Sequence, residues 1–425
     1  MPKGRTATVE VMVSDTVHAS PDTSYRRPLL TVFLGWLWVM AGANLAAPLY
    51  AVYADRFGFS GIVVTTVFAT YAVTLVATLL VCGRLADRVG RRPVILAGLA
   101  VAAGALVVFG VASGVEWLYA ARALQGIAVG LISGPATAAL VELDPLREQA
   151  RPAMFAGLAQ AVGSGVGPLV SGCLAQWAPA PLHTCYLVGL VGTAVAAGFA
   201  LALPDSAHGD EPWRVQWPRV PTAIRTDFVR LGVTAGLVWA SLALYLSVVP
   251  SYVAGLLATH DLALLGANSA LACFASAGTQ VWARFHGSEG RRRQALGLAL
   301  LAAGLVLLVV SALTESLLTV LLGAVVTGVG HGLGFLHAQD ELNAIAPPER
   351  RAEVSAAFVC CIYVVVGGSV IGVGVLEEAG SLTGAVSVVG GLLTVAALAA
   401  AAWQWARRTP GRPDRVEPVR TGHSG

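Results

Sequence analysis

Twelve uncharged apolar runs punctuate the sequence, each close to the about 20 residues that a helix needs to cross a bilayer. Backbone inside lipid must satisfy its own polar groups, and runs of this length do so as helices rather than as barrel strands. The runs predict helices at about 29–53, 61–82, 93–114, 117–140, 152–177 and 182–203, then 228–257, 261–283, 294–312, 316–339, 352–376 and 381–406. With 56% of residues hydrophobic and 12% charged, little of the 425-residue chain is left for an extramembrane domain, which excludes a large soluble catalytic unit.

The basic residues set the topology. Of the 27, the single lysine is Lys3, so there is no P-loop lysine for ATP hydrolysis and none inside the membrane for a retinal Schiff base. If both termini lie on one face, 25 of the basic residues fall on that face, Arg56 on the other, and Arg122 within helix 4. Basic loops stay in the cytoplasm, so both termini are expected there, in the cell membrane. Residues 1–28 and 407–425 read as cytoplasmic tails, the first disordered, with helix 1 retained as a signal anchor. Residues 204–227 read as a cytoplasmic linker. Its Trp213, Arg214, Trp217 and Arg219 fit either a stretch on the inner membrane surface or a plain polar connector. The six cysteines show no C-x-x-C spacing and read as small core residues, with a disulfide between Cys173 and Cys185 left open.

Features recur about 200 positions apart: Gly90-Arg91-Arg92 against Gly290-Arg291-Arg292, and Glu116 against Glu315. The pattern predicts a tandem duplication of two six-helix bundles, residues 29–203 and 228–406. Parallel repeats of this kind place a substrate site near the midplane, between halves that rock against each other.

Four stretches carry chemistry. The loop Gly83-Arg84-Leu85-Ala86-Asp87-Arg88-Val89-Gly90-Arg91-Arg92-Pro93 combines turn-forming glycines with Asp87, which can accept from arginines or a facing helix N-terminus; a basic anchoring loop is the plain alternative. In helix 4, Arg122 costs roughly 2.5 to 3.5 kcal/mol at a membrane centre. It either snorkels outward or meets a substrate anion or coupling partner in a wet cavity with Gln125. Helix 5 carries Gly163, Gly167, Pro168 and Gly172, small residues that allow close helix approach around a proline bend. Helix 10 carries His331, His337, Asp340 and Glu341, which could relay a proton, although a histidine among glycines is more often a packing residue and the acids fit a solvated helix end. Trp36, Asn44, Gln160, Trp239, Tyr245, Gln280 and Tyr363 complete a candidate cavity wall suited to an amphiphilic organic molecule.

The loop resembles, at nearly every position, the signature between helices 2 and 3 of the major facilitator superfamily. The stretch Arg122 to Gly130 is a second match, and Gly163 to Gly172 is similar to the motif of its exporters, with Ser171 where a final glycine stands. The resemblance implies an all-α membrane fold of 12 transmembrane helices, in the drug:proton antiporter-like branch. Asp87, Arg88 and Arg91, with Gly83, Gly90 and Arg92 around them, would form a cytoplasmic gate, Asp87 facing the start of helix 11 when the outer side is open. Arg122 would serve coupling or substrate charge, with Gln125, His331 and His337 as companions. Two departures stand out. The second-half copy of the loop has no Asp, and helix 1 has Asn44 where many proton-coupled exporters carry an acid.

The expected function is export of a small organic, drug-like or natural-product-like compound in exchange for protons. The protein would act as a monomer in the lipid bilayer, with no cofactor, metal or nucleic-acid partner, and not as an enzyme. An uptake facilitator for a metabolite and a non-transporting sensor are the alternatives. An intramembrane hydrolase built on Ser369 and His331 lacks any group to orient the histidine.

Overall fold

The structure, a computed structural model, describes residues 26–143, 150–204, 215, 217–286 and 290–406. The expectations for the two tails, and for Trp213 and Arg214 in the linker, fall outside the described residues apart from the first and last few helical positions. Twelve helices among the described residues are long and apolar enough to cross a membrane. They are α1 (Arg26–Asn44), α2 (Gly61–Cys82), α3 (Arg91–Gly110), α4 (Val115–Leu143), α5 (Ala150–Trp177) and α6 (Pro181–Ala200), then α7 (Arg225–Ser247), α8 (Leu262–Phe285), α9 (Gly290–Thr314), α10 (Leu317–Ile345), α11 (Arg351–Glu378) and α12 (Leu382–Ala406). The face where α1 begins and α12 ends is here the terminal face, and the opposite one the distal face.

Two of the expected spans are broken. The first stops at Asn44, passes through a 3-10 turn at Ala47–Leu49 and resumes as a short helix, Tyr50–Phe57. The seventh stops at Ser247 and resumes at Val249–Leu256. Pro48 and Pro250 sit at the breaks, and a proline offers no N–H to continue a helix ladder. The breaks lie at matching places in the two halves, as a duplication requires.

Small residues decide how closely the helices pack. A Cβ on Gly163 would run into the Leu37 carbonyl and Met40, and one on Gly167 into the Ala41 backbone, so both glycines seat α5 on α1 within the first half. Gly172, farther along α5, meets Leu262 and Gly266 of α8 in the second half. One motif therefore serves an internal contact and a contact between halves. The other seam between the halves runs along α2 and α11, where Gly374 packs on Ile62 and Thr65 near the distal face and Tyr363 meets Tyr71 nearer the middle, ring centroids 6.3 Å apart. Both seams are closed at the distal face. Cys173 and Cys185 are free thiols, and Cys185 Sγ instead donates to the Ser171 carbonyl at 3.4 Å.

Candidate functional site

The break in the first span creates the setting for Arg122. The last carbonyls of a helix have no partner within it, and the helix dipole makes that end electronegative. Arg122 Nη1 donates to the Ala43 carbonyl at 2.7 Å and to Gln125 Oε1 at 2.9 Å, while Gln125 Nε2 donates to the Gly42 carbonyl at 3.0 Å. Nε donates to the Tyr50 hydroxyl. The guanidinium carbon lies 5.3 Å from the ring centre of Tyr50, 5.5 Å from Phe68, 5.9 Å from Tyr71 and 5.9 Å from Phe109. Charge-assisted hydrogen bonds of about 1.5 to 3 kcal/mol each and cation–π contacts of about 0.5 to 2 kcal/mol offset the cost of burial. The side chain is 1% exposed, so it does not snorkel. Its Nη2 is buried with no hydrogen-bond partner, and no carboxylate pairs with it among the described residues.

A second polar cluster sits in the other half. His331 Nδ1 lies 2.7 Å from Ser276 Oγ, to which Gln280 Nε2 donates at 3.2 Å. The His331 ring packs edge-on with Trp239, centroids 4.9 Å apart, and stacks on Phe335. Gln280 Oε1 faces Gly157 of α5 across the seam. Trp239, Gln280 and His331, all expected in the cavity wall, thus form one group, and Trp239 Nε1 and His331 Nε2 are buried with no hydrogen-bond partner. The Arg122 and His331 clusters belong to different halves. Tyr71, under the guanidinium of Arg122, meets Tyr363 of the second half, so the arginine cage reaches the interface.

Other expected residues lie elsewhere. Trp36 is packed inside the first half, among Ile95, Leu99, Ile132 and Ala136, and Tyr245 inside the second half, so neither forms a wall between halves. Both are large and apolar enough to fill their own bundle. Asn44 ties α1 to α5 through Ser164, 3.4 Å away, and Gln160 is half-buried on α5. Ser369 donates to the Val365 carbonyl at 2.8 Å while His331 holds Ser276, so the two form no nucleophile–base pair.

At the terminal face, Asp87 and Arg88 are exposed on a short helix, Leu85–Val89, that follows Gly83. Gly90 then opens α3 with φ of 90°, a backbone that favours glycine. Arg91 pairs with Glu142 at 2.6 Å, and Arg92 is half-buried beside it. In the second half Arg291 pairs with Glu341 at 3.4 Å, which repeats the first-half pair. Here the similarity ends. Arg230, one of the basic residues counted on this face, is 1% exposed and holds Glu341, Asp227, Gln294 and Gln404. The Glu341 carboxylate is therefore occupied by Arg230, Arg291 and Gln294, while His337 contributes only its backbone carbonyl, to Gln294. Asp340 pairs with Arg284 at 3.1 Å. Both acids are ion-paired rather than merely solvated.

The family model of the Major Facilitator Superfamily matches residues 32–370. The chain is similar to a protein named probable actinorhodin transporter from Streptomyces coelicolor, 34% identical over 193 residues, which are 44% of this chain and 32% of that protein. It is also similar to multidrug resistance protein 1 of Bacillus subtilis, 28% identical over 148 residues, 35% of this chain and 38% of that one. A third relative, the methylenomycin A resistance protein of Bacillus subtilis, is 30% identical over 167 residues, 39% of this chain and 36% of that one. The match spans about a third of the length of these curated relatives.

Proposed function

The chain belongs to the Major Facilitator Superfamily and is a multi-pass membrane transporter rather than an enzyme, and from that footing we propose that it exports a small organic compound by alternating access, in exchange for protons. The observation that carries the reading is the pair of buried polar clusters, Arg122 with its aromatic cage in one half and Trp239–His331–Ser276–Gln280 in the other, the first reaching the interface at Tyr71 and Tyr363 and the second at Gly157. Arg122, with no counter-ion among the described residues, and the aromatic, hydrogen-bonding group around His331 suit an aromatic, oxygen-bearing compound that is neutral or anionic. The names of the relatives, with the likeness of the α5 motif to that of exporters, favour export over uptake. The basic terminal face is the cytoplasmic one. Close contact at the distal ends of both seams and an exposed Asp87 fit an inward-facing state.

Cells overproducing the protein are expected to accumulate less of an aromatic antibiotic or dye than cells without it, and to lose that difference when the proton gradient is collapsed. Efflux that continues unchanged after collapse rejects antiport. Greater accumulation in the overproducing cells rejects export.

A further inference from the structure

The last turn of α11 ends in Glu377 and Glu378 and has no basic residue. Acids at a helix C-terminus face the negative end of that helix's dipole, so α11 gains nothing from carrying two. The structure puts them against a different helix end. The carboxylate of Glu377 occupies the space where a Cβ on Gly61 would lie, and Gly61 is the first residue of α2. Ser60, which caps α2 without using its side chain on its own backbone, donates through Oγ to Glu378 Oε1 at 3.4 Å. The first N–H groups of a helix are unpaired and electropositive, so the charges unfavourable to α11 are favourable to α2. Gly374, one turn earlier on α11, packs on the Ile62 backbone. The close approach there needs glycine on both sides.

We propose that Glu377 and Glu378 form a distal latch, in which the carboxylates ending α11 hold the N-terminus of α2 and keep the outer side closed. At the terminal end of the same seam, Asp87, in the loop after α2, is the carboxylate that the resemblance places against the start of α11 in the opposite state, so the seam would carry one carboxylate-to-helix-start contact at each face in turn. The two latches bind the same pair of helices at opposite ends, so a rocking motion that engages one releases the other. Here the distal contact is made while Asp87 is exposed and makes no hydrogen bond or ion pair among the described residues. Above the closed seam, Asp55, Ser60, Ser247, Ser251, Glu377 and Glu378 line an outer vestibule of about 480 Å³, which gives the carboxylates water to enter when they let go. This inference rests on the alternating-access reading.

The test is hydrogen–deuterium exchange on the full-length protein in lipid nanodiscs. Glu377→Gln with Glu378→Gln keeps size and removes charge, and both residues lie at the surface end of the seam. Amides in the first turns of α2 and the last turns of α11 are expected to exchange about threefold to tenfold faster in the double variant, the range set by a carboxylate at a helix terminus. Ser60→Ala should give a smaller change of the same sign. Asp87→Asn should slow exchange at the same distal amides, because it weakens the competing latch. Unchanged distal exchange in the double variant, with a melting temperature equal to that of the unmodified protein, overturns the latch. If the double variant responds and Asp87→Asn does not, the distal contact stands and the reciprocal motion on which it was placed fails.

Discussion

Replacing Arg122 with alanine is expected to lower the initial rate of efflux per molecule at the cell surface by tenfold or more, about the effect of losing one charge-assisted hydrogen bond. Three donated bonds and four ring contacts converge on this side chain, and Tyr71 passes its position on to Tyr363. Arg122→Lys is expected to recover little. An ammonium is a compact point charge that cannot reach Tyr50, the Ala43 carbonyl and Gln125 at once or lie flat among four rings. Efflux of a fluorescent aromatic substrate, normalised to surface protein, checks both variants. Wild-type rates in Arg122→Ala would remove the arginine from the mechanism.

The largest effect on stability is expected from Arg230→Leu. The guanidinium is fully buried and joins α7, α9, α10 and α12 through Glu341, Gln294 and Gln404, with Gln404 also bonded to Thr234 at 2.9 Å and to Gln294 at 3.0 Å. Removing one member of a buried ionic network leaves part of its partners' hydrogen-bonding capacity unmatched, even with Arg291 and Gln294 still on Glu341, at a cost of up to about 3 to 5 kcal/mol. In the purified protein this should appear as a fall in melting temperature on the order of 10 °C. Arg91→Leu in the first half should shift it far less, because its partner Glu142 is half exposed and surface pairs contribute about 0 to 1 kcal/mol. Equal shifts would mean that the two halves are braced alike, against what the structure shows.

The fold was legible because lipid simplifies the problem. Spans must be long, apolar and helical, and loop arginines mark one face, so the twelve helices follow from composition along the chain. The breaks at Pro48 and Pro250 had a visible signal, proline inside an apolar run, but hydropathy alone reads straight through them. Arg122 stood out as a charge in a helix centre. Its cage did not, since Tyr50, Phe68, Tyr71 and Phe109 come from three other spans and look like any membrane aromatic.

Arg230 was missed for the opposite reason. At the start of a span it counts as an anchor, and only the isolated glutamines Gln294 and Gln404, each inside or beside an apolar stretch, hint that something polar lies within. Trp36 and Tyr245 show the converse error. A large aromatic with a polar atom looks in sequence like a cavity wall, whereas each fills the core of its own half.

The two halves are expected to close alternately at opposite faces around the buried Arg122 and His331 clusters. Pulsed electron resonance between spin labels at Trp177 and His260 reports the distal side of the α5–α8 seam, and labels at Val89 and Glu349 report the terminal side near Asp87; all four positions are exposed. On adding a transported aromatic compound under a proton gradient, the distal distance should lengthen as the terminal distance shortens. Distances that stay fixed, or change together in one direction, in protein that still exports the compound would contradict the claim.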